Sequence, residues 1–243
     1  MKRYTFIFLL SALSLFSFSC DELTGQRVRG NGHIATREVN VTDFKNVDVS
    51  GAVDLHISQG DVQPVKIETD DNLMEYVEVK QEGQTIRIFS RKGYNLSPSH
   101  KIKIYLTTAA YGNIDLSGAC DVTSEGKINN PDNISFQVSG AGDIKVDIHA
   151  PQVSAEVSGA GSVSMKGETK SFILDLTGAG KARCYDLQSE NTKVDITGAG
   201  EAEVFASVKL DADISGAGSV RYKGGATGGT RQVSGAGSIK AAE

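Results

Sequence analysis

"VSGAGSV", residues Val157–Val163, sets two glycines around an alanine between apolar residues, and the phrase returns along the chain. The first glycine of each copy falls at Gly118, Gly140, Gly159, Gly178, Gly198, Gly216 and Gly235, with an earlier copy at Gly51. Successive spacings from Gly118 onward are 22, 19, 19, 20, 18 and 19 residues. A period near nineteen in a strand-rich chain marks a solenoid, in which each repeat buries its apolar face only against its neighbours.

Alignment on that glycine fixes what each coil contains. Two residues before it stand Leu116, Val138, Val157, Leu176, Ile196, Ile214 and Val233, and four after it stand Val122, Ile144, Val163, Ala182, Ala202, Val220 and Ile239. Both columns should face inward. The alanine between the glycines is expected to let the corner close on the next coil. The hydroxyls just before the glycine, Ser117 to Ser234, are expected to bond along the ladder. A tight corner between strands explains the glycines, since it needs positive φ or packing without a Cβ. A phosphate cradle is excluded. It needs one glycine-rich loop opening a helix, whereas an alternating stretch follows every copy, and Ser164 stands where the dinucleotide fingerprint has its third glycine.

The predicted fold is therefore all-β, a parallel β-helix of about nineteen residues per coil in the C-terminal half. Right-handed winding is favoured, because parallel crossovers are almost always right-handed. The left-handed hexapeptide type is the alternative, although its six-residue subperiod is not visible. Upstream, "VNVTDFKNVDVSGAVDLHIS" alternates at period two, and Val65–Ile67, Val77–Val79, Ile86–Ile88 and Ile102–Leu106 add further strands. One short helix is predicted around "DNLMEYVE", with Asp70 or Asp71 as its N-cap.

At the N-terminus, Lys2 and Arg3 precede an apolar stretch, Phe6 to Phe18, that is too short and serine-broken for a membrane span. It reads as a secretory signal. The ending Ser17-Phe18-Ser19-Cys20 resembles a bacterial lipoprotein signal, whose cysteine is acylated and becomes the mature N-terminus; Ser17 stands where that pattern prefers leucine. Asp21 and Glu22 resemble the acidic tail that sends some lipoproteins of the Bacteroides group to the cell surface. The expected division is signal 1–19, lipidated cysteine and tether 20–32, and β-helix 33–243. The expected location is the cell envelope, lipid-anchored in the outer membrane on its surface or periplasmic face. With a net charge of −5 and no Lys/Arg block, nucleic acid is not an expected partner, and no cofactor is expected.

"REVNVTDFKNVDVSGAVDLHISQG", "DNLMEYVEV" and the "ITGAG"-type repeats together resemble the auto-transporter adhesin head domain, the GIN domain, found largely in secreted and lipid-anchored proteins of the Bacteroides group. The resemblance runs from about Arg37 to the end. It implies a single-stranded right-handed β-helix and an adhesin-like role, and it brings no catalytic residues.

Candidate sites are few. Three residues before the corner glycine stand Asp48, Asp115, Gln137, Glu156, Asp175, Asp195, Asp213 and Gln232. As a calcium edge this column would use Asp175, Asp195 and Asp213 as ligands. As a solvated ladder it would be offset by the basic column Lys145, Arg183, Arg221 and Lys240, the favoured alternative, because the glycine–aspartate nonapeptide of calcium solenoids is absent. A polysaccharide lyase or hydrolase would draw on Asp175, Asp195 and Arg183, with Tyr94, Tyr105 and Tyr111 as sugar platforms. These acids belong to a repeating column, however, and His33, His56, His100 and His149 show no metal spacing, so the chain is read as noncatalytic. Cys120 and Cys184 lie three coils apart, about 14 Å, beyond disulfide reach. The candidate ligand-binding segment is "SRKGYNLSPSHK", Ser90–Lys101, with Arg91, Tyr94, Asn95 and His100 contacting a glycan or protein partner; a solvated connector is the favoured alternative. A structural envelope component is the third alternative. The last coil leaves an edge protected only by Lys240 and Glu243, so end-to-end pairing of two copies is expected.

Overall fold

The structure, a computed structural model, describes residues 25–242, so the signal stretch, Cys20 and Glu243 lie outside the described residues. It is an all-β solenoid of about six turns. The corner glycines stack: Gly51 pairs with Gly118, and the ladder continues through Gly140, Gly159, Gly178, Gly198 and Gly216 to Gly235, parallel throughout.

At the corner the first position admits only glycine, whereas the second takes Val53 and Cys120 in the first two copies and glycine from Gly142 onward. The first glycine of each copy takes a φ between 100° and 134°, and a Cβ on Gly140 would lie 2.1 Å from the carbonyl oxygen of Gly118. That carbonyl is already an acceptor. The alanine after each first glycine donates its N–H to the glycine one coil back, from Ala119 on Gly51 at 2.8 Å to Ala236 on Gly216 at 2.9 Å. The second glycine closes the coils on one another, since a Cβ on Gly142 would sit 1.9 Å from the Cys120 oxygen. The alanines themselves face solvent, because their side chains project from the corner's tip. The expected hydroxyl ladder does not form: these serines and threonines are turned to solvent and make no hydrogen bond to one another.

The two apolar columns do face inward. Leu116, Val138, Val157, Leu176, Ile196 and Ile214 are at most 3% exposed, and the column after the corner is buried from Val122 to Val220. A second bend is closed by polar side chains. Buried Asn130 accepts from the Tyr111 N–H and donates to the Tyr111 and Asp132 carbonyls, each at 2.8 Å, while Thr169 donates to the Ser171 carbonyl at 3.0 Å. Such bonds satisfy backbone groups that a buried bend would otherwise strand.

The 22-residue spacing has a local cause. Thr123 pairs with Lys145 and Lys127 with Asp147, so two extra residues bulge out there; a third is inserted between Asn129 and Ile134, opposite His149 and Val153.

The N-terminal end is built differently. Val65–Asp70 runs antiparallel to Ile102–Thr108 and is itself covered by antiparallel Ile34–Val39, while Val77–Glu82 covers Thr85–Ser90 in the same sense. The predicted helix is a 3-10 helix, Asp71–Tyr76. Asp70 does not cap it through its side chain. Its carboxylate accepts the Gly32 N–H at 2.7 Å, the Ser99 N–H at 2.9 Å and the Ser99 hydroxyl at 2.7 Å, pinning the incoming chain. Part of the expected tether is a strand, since Gln26–Arg29 pairs in parallel with Tyr94–Ser97. Cys120 and Cys184 are buried free thiols, and burial pushes Cys184 up to about 12.

Candidate functional site

Three surfaces carry chemistry. The segment Ser90–Lys101 is less irregular than its composition suggests, because Tyr94–Ser97 is a strand. Arg91 donates to the Glu75 carbonyl at 2.6 Å and lies 5.5 Å from the Tyr76 ring centre, and that ring lies 4.5 Å from the Tyr94 ring. A cation and two aromatic rings thus form one stack, a favourable arrangement. Tyr76, in the 3-10 helix, was not among the expected site residues; only its place in "DNLMEY" signals it. Asn95, on the opposite side of the strand from Tyr94, is exposed, and exposed His100 keeps its Nδ1 3.1 Å from the Ser99 hydroxyl. Tyr111 is no sugar platform. It is fully buried against Phe44, and its hydroxyl donates to the Ser58 and Leu106 carbonyls.

The acidic column exists as a ladder. Arg87, Asp48, Asp115, Gln137, Glu156, Asp175, Asp195, Asp213 and Gln232 are partners coil by coil. Burial first, then the charges of Asp48 and Glu156, raise the Asp115 carboxyl above its ordinary range. Asp175 is raised by burial and then by the charge of Asp195. The compensation is local. Arg87 pairs with Asp48 at 3.1 Å and Lys193 with Asp195 at 2.5 Å. The expected offset by Lys145, Arg183, Arg221 and Lys240 does not occur among the described residues, because that column lies beyond the glycine corner and is interrupted by Ser164 and by Glu203, which pairs with Arg221 at 3.9 Å. Asp175, Asp195 and Asp213 stack one per coil; no group of three or more His, Cys, Asp or Glu side chains among the described residues is gathered to hold a metal.

The third surface is a groove of 820 Å³ along the second bend, crossing five successive coils. One wall is the outward ladder Asn129, His149, Glu168 and Gln188. Its floor is made by buried Asn130, Ala150, Thr169 and Ser189, and the facing wall carries Pro131, Pro151, Lys170 and Glu190. Half-buried Phe205 and exposed Ser207 close its C-terminal end. His149 and Glu168 pair at 3.6 Å, both exposed.

Comparison with known proteins adds the family. The family described as "Putative auto-transporter adhesin, head GIN domain" matches residues 43–226. The chain belongs to this family. The fold of this GIN-domain protein is similar to crystal structures of a "putative adhesin" from Bacteroides fragilis (TM-score 0.83, 22% identity, 88% of this chain and 100% of that one) and of a "putative lipid binding protein" from Parabacteroides distasonis (0.72, 23%, 90% and 100%). A "putative adhesin" from Parabacteroides merdae is also similar (0.64, 17%, 90% and 100%). At these identities the likeness is one of fold. Comparison with curated proteins finds no match. No helix among the described residues is long and apolar enough to cross a membrane.

Proposed function

We propose that this GIN-domain protein is a noncatalytic, adhesin-like protein of the cell envelope, tethered to the outer membrane by lipid on Cys20, whose solenoid presents its side walls to a glycan or protein partner. The observation that carries this reading is the groove along five coils, an extended recessed surface with polar walls and a half-buried aromatic ring. Recessed surfaces with a few placed polar groups are the usual form of binding sites. Family membership supports the adhesin-like role. The repeat supports a passive one, since the acids form a regular ladder in which none is singled out to act as an acid opposite a base.

The test is made in cells. The wild-type chain should incorporate labelled fatty acid, be shaved from intact cells by protease if it faces outward, and confer adhesion on coated beads. A Cys20→Ser chain should be released in soluble form. Unlipidated wild-type chain, or beads that adhere no better than bare ones, would sink the corresponding half of the proposal.

A further inference from the structure

The groove says more about its occupant than that it is a partner. It is open along the solenoid axis, and five coils at the spacing of paired strands give it a length of about 19 Å. A chain fits such a trough better than a compact molecule. A peptide adding as an extra strand is disfavoured, because the backbone of the floor is already paired, Ala150 with Thr169 and Thr169 with Ser189, and the pairing lapses at Pro151, Lys170 and Glu190 for single positions too short to take a strand. Recognition must therefore come from side chains. Floor hydroxyls are committed to the fold, Thr169 to the Ser171 carbonyl and Ser189 to the Phe205 carbonyl, so the walls do the reading.

The walls are chemically mixed. Asn129 and Gln188 each offer a donor and an acceptor, and His149 and Glu168 stand between them on the same ladder, one coil apart. Fixed charge is slight: Lys170 offsets one of Glu168 and Glu190, and His149 lies 3.6 Å from Glu168. A groove without a field of one sign does not select an ionic polymer. The acidic ladder, on the stretch between the second bend and the glycine corner, shows what a strongly signed surface looks like in the same molecule. Phe205 adds a half-buried ring at the C-terminal end, a platform for an apolar C–H face.

We infer that this groove binds a neutral polyhydroxylated chain, a glycan of uncharged sugars, with the Asn129–Gln188 wall reading hydroxyls and Phe205 stacking on a sugar face. The inference rests on the adhesin-like reading and names its ligand.

Full-length chain in detergent is screened on an array of neutral and acidic glycans, and the best neutral hit is titrated calorimetrically. Glu168→Ala and Gln188→Ala should each weaken binding about tenfold, as expected for a lost bond to a buried ligand hydroxyl. Phe205→Leu should weaken it without altering the melting curve by more than a few degrees, and Asp175→Asn, on the acidic ladder, should leave affinity unchanged. Absence of any neutral hit, a preference for acidic glycans, or neutral binding untouched by all three groove variants overturns the inference. Bead adhesion separates it from the broader reading. Adhesion kept by the groove variants removes the groove alone, whereas no adhesion by wild-type chain removes the adhesin-like role itself.

Discussion

The two ends of the solenoid solve one problem in opposite ways. Every coil offers unpaired N–H and C=O groups to the next, and at an end those groups invite another chain. At the N-terminal end, antiparallel strands lie over both outer edges, and Asp70 ties down the loop that brings the first strands in. At the C-terminal end, Arg231–Gly235 and Ser238–Ala241 pair on one side only among the described residues. Val233 is 43% exposed, in a column whose other members from Leu116 onward are at most 3% exposed. What guards this end is a charge. Arg231 occupies the register of inward-facing Ala212, and its guanidinium lies 5.0 Å from the Tyr222 ring centre and 3.0 Å from the Ala226 carbonyl. An inward-pointing charge is one of the ways natural sheets discourage edge pairing. Capping by structure therefore buries apolar surface, while capping by charge only makes its exposure unattractive.

One substitution made twice tests that contrast most severely. Gly178 and Gly235 share a positive φ, 111° and 123°, and a carbonyl that a Cβ would strike at 2.5 and 2.4 Å. Gly178→Val should cost more than about 4 kcal/mol, because coils on both sides hold the corner in place. Gly235→Val should cost about 1 kcal/mol, the last coil fraying instead. Equal losses in urea titrations would show that the bare end is as constrained as the middle.

At the capped end, Asp70→Ala should cost about 2–4 kcal/mol through the donors it strands on Gly32 and Ser99. Burial alone would raise this carboxyl, but hydrogen bonds from Ser99 and Gly32 outweigh it and hold the group below its ordinary value. Its contribution is therefore present above the ordinary carboxylate range and lost as pH falls through the depressed value. Unfolding measured against pH should show a shallower acid limb in the Ala chain; an unchanged limb would mean that another group drives it.

The smallest effect on stability belongs to Arg231→Val, within about 0.5 kcal/mol. Its signature is mass. Light scattering at matched concentration should show more end-to-end pairs than in the wild-type chain, and Arg231→Lys should behave as wild type. No difference in mass would remove Arg231 as the guard.

The parts of this fold that are legible in the sequence are those where sterics leave one residue type. The corner admits only glycine at Gly140 or Gly178, so copies align and the inward columns follow. Where several residue types do the same work, the pattern vanishes. The second bend uses Asn130, Ala150, Thr169 and Ser189 at equivalent places, and the groove built over it therefore has no motif. Period-two alternation locates Val65–Asp70 and Val77–Glu82 without revealing that they run antiparallel, since both senses bury every second residue. In Gln26–Arg29, "QRVR", one apolar residue among polar ones leaves almost no strand signal. The acidic column was legible as a column, but its neutralising partners were not, because Lys193 reaches Asp195 along its own strand and not across the corner.

The carbonyl-to-amide ladder at the glycine corner makes length a counted quantity. Each copy of the phrase adds one coil, one alanine N–H on one glycine oxygen, and a rise of about 4.8 Å. Duplication or loss of a single nineteen-residue unit would thus lengthen or shorten the molecule by a fixed step while every remaining coil kept its neighbours' chemistry. The molecule's reach could then change by recombination within a gene, with no new packing to evolve.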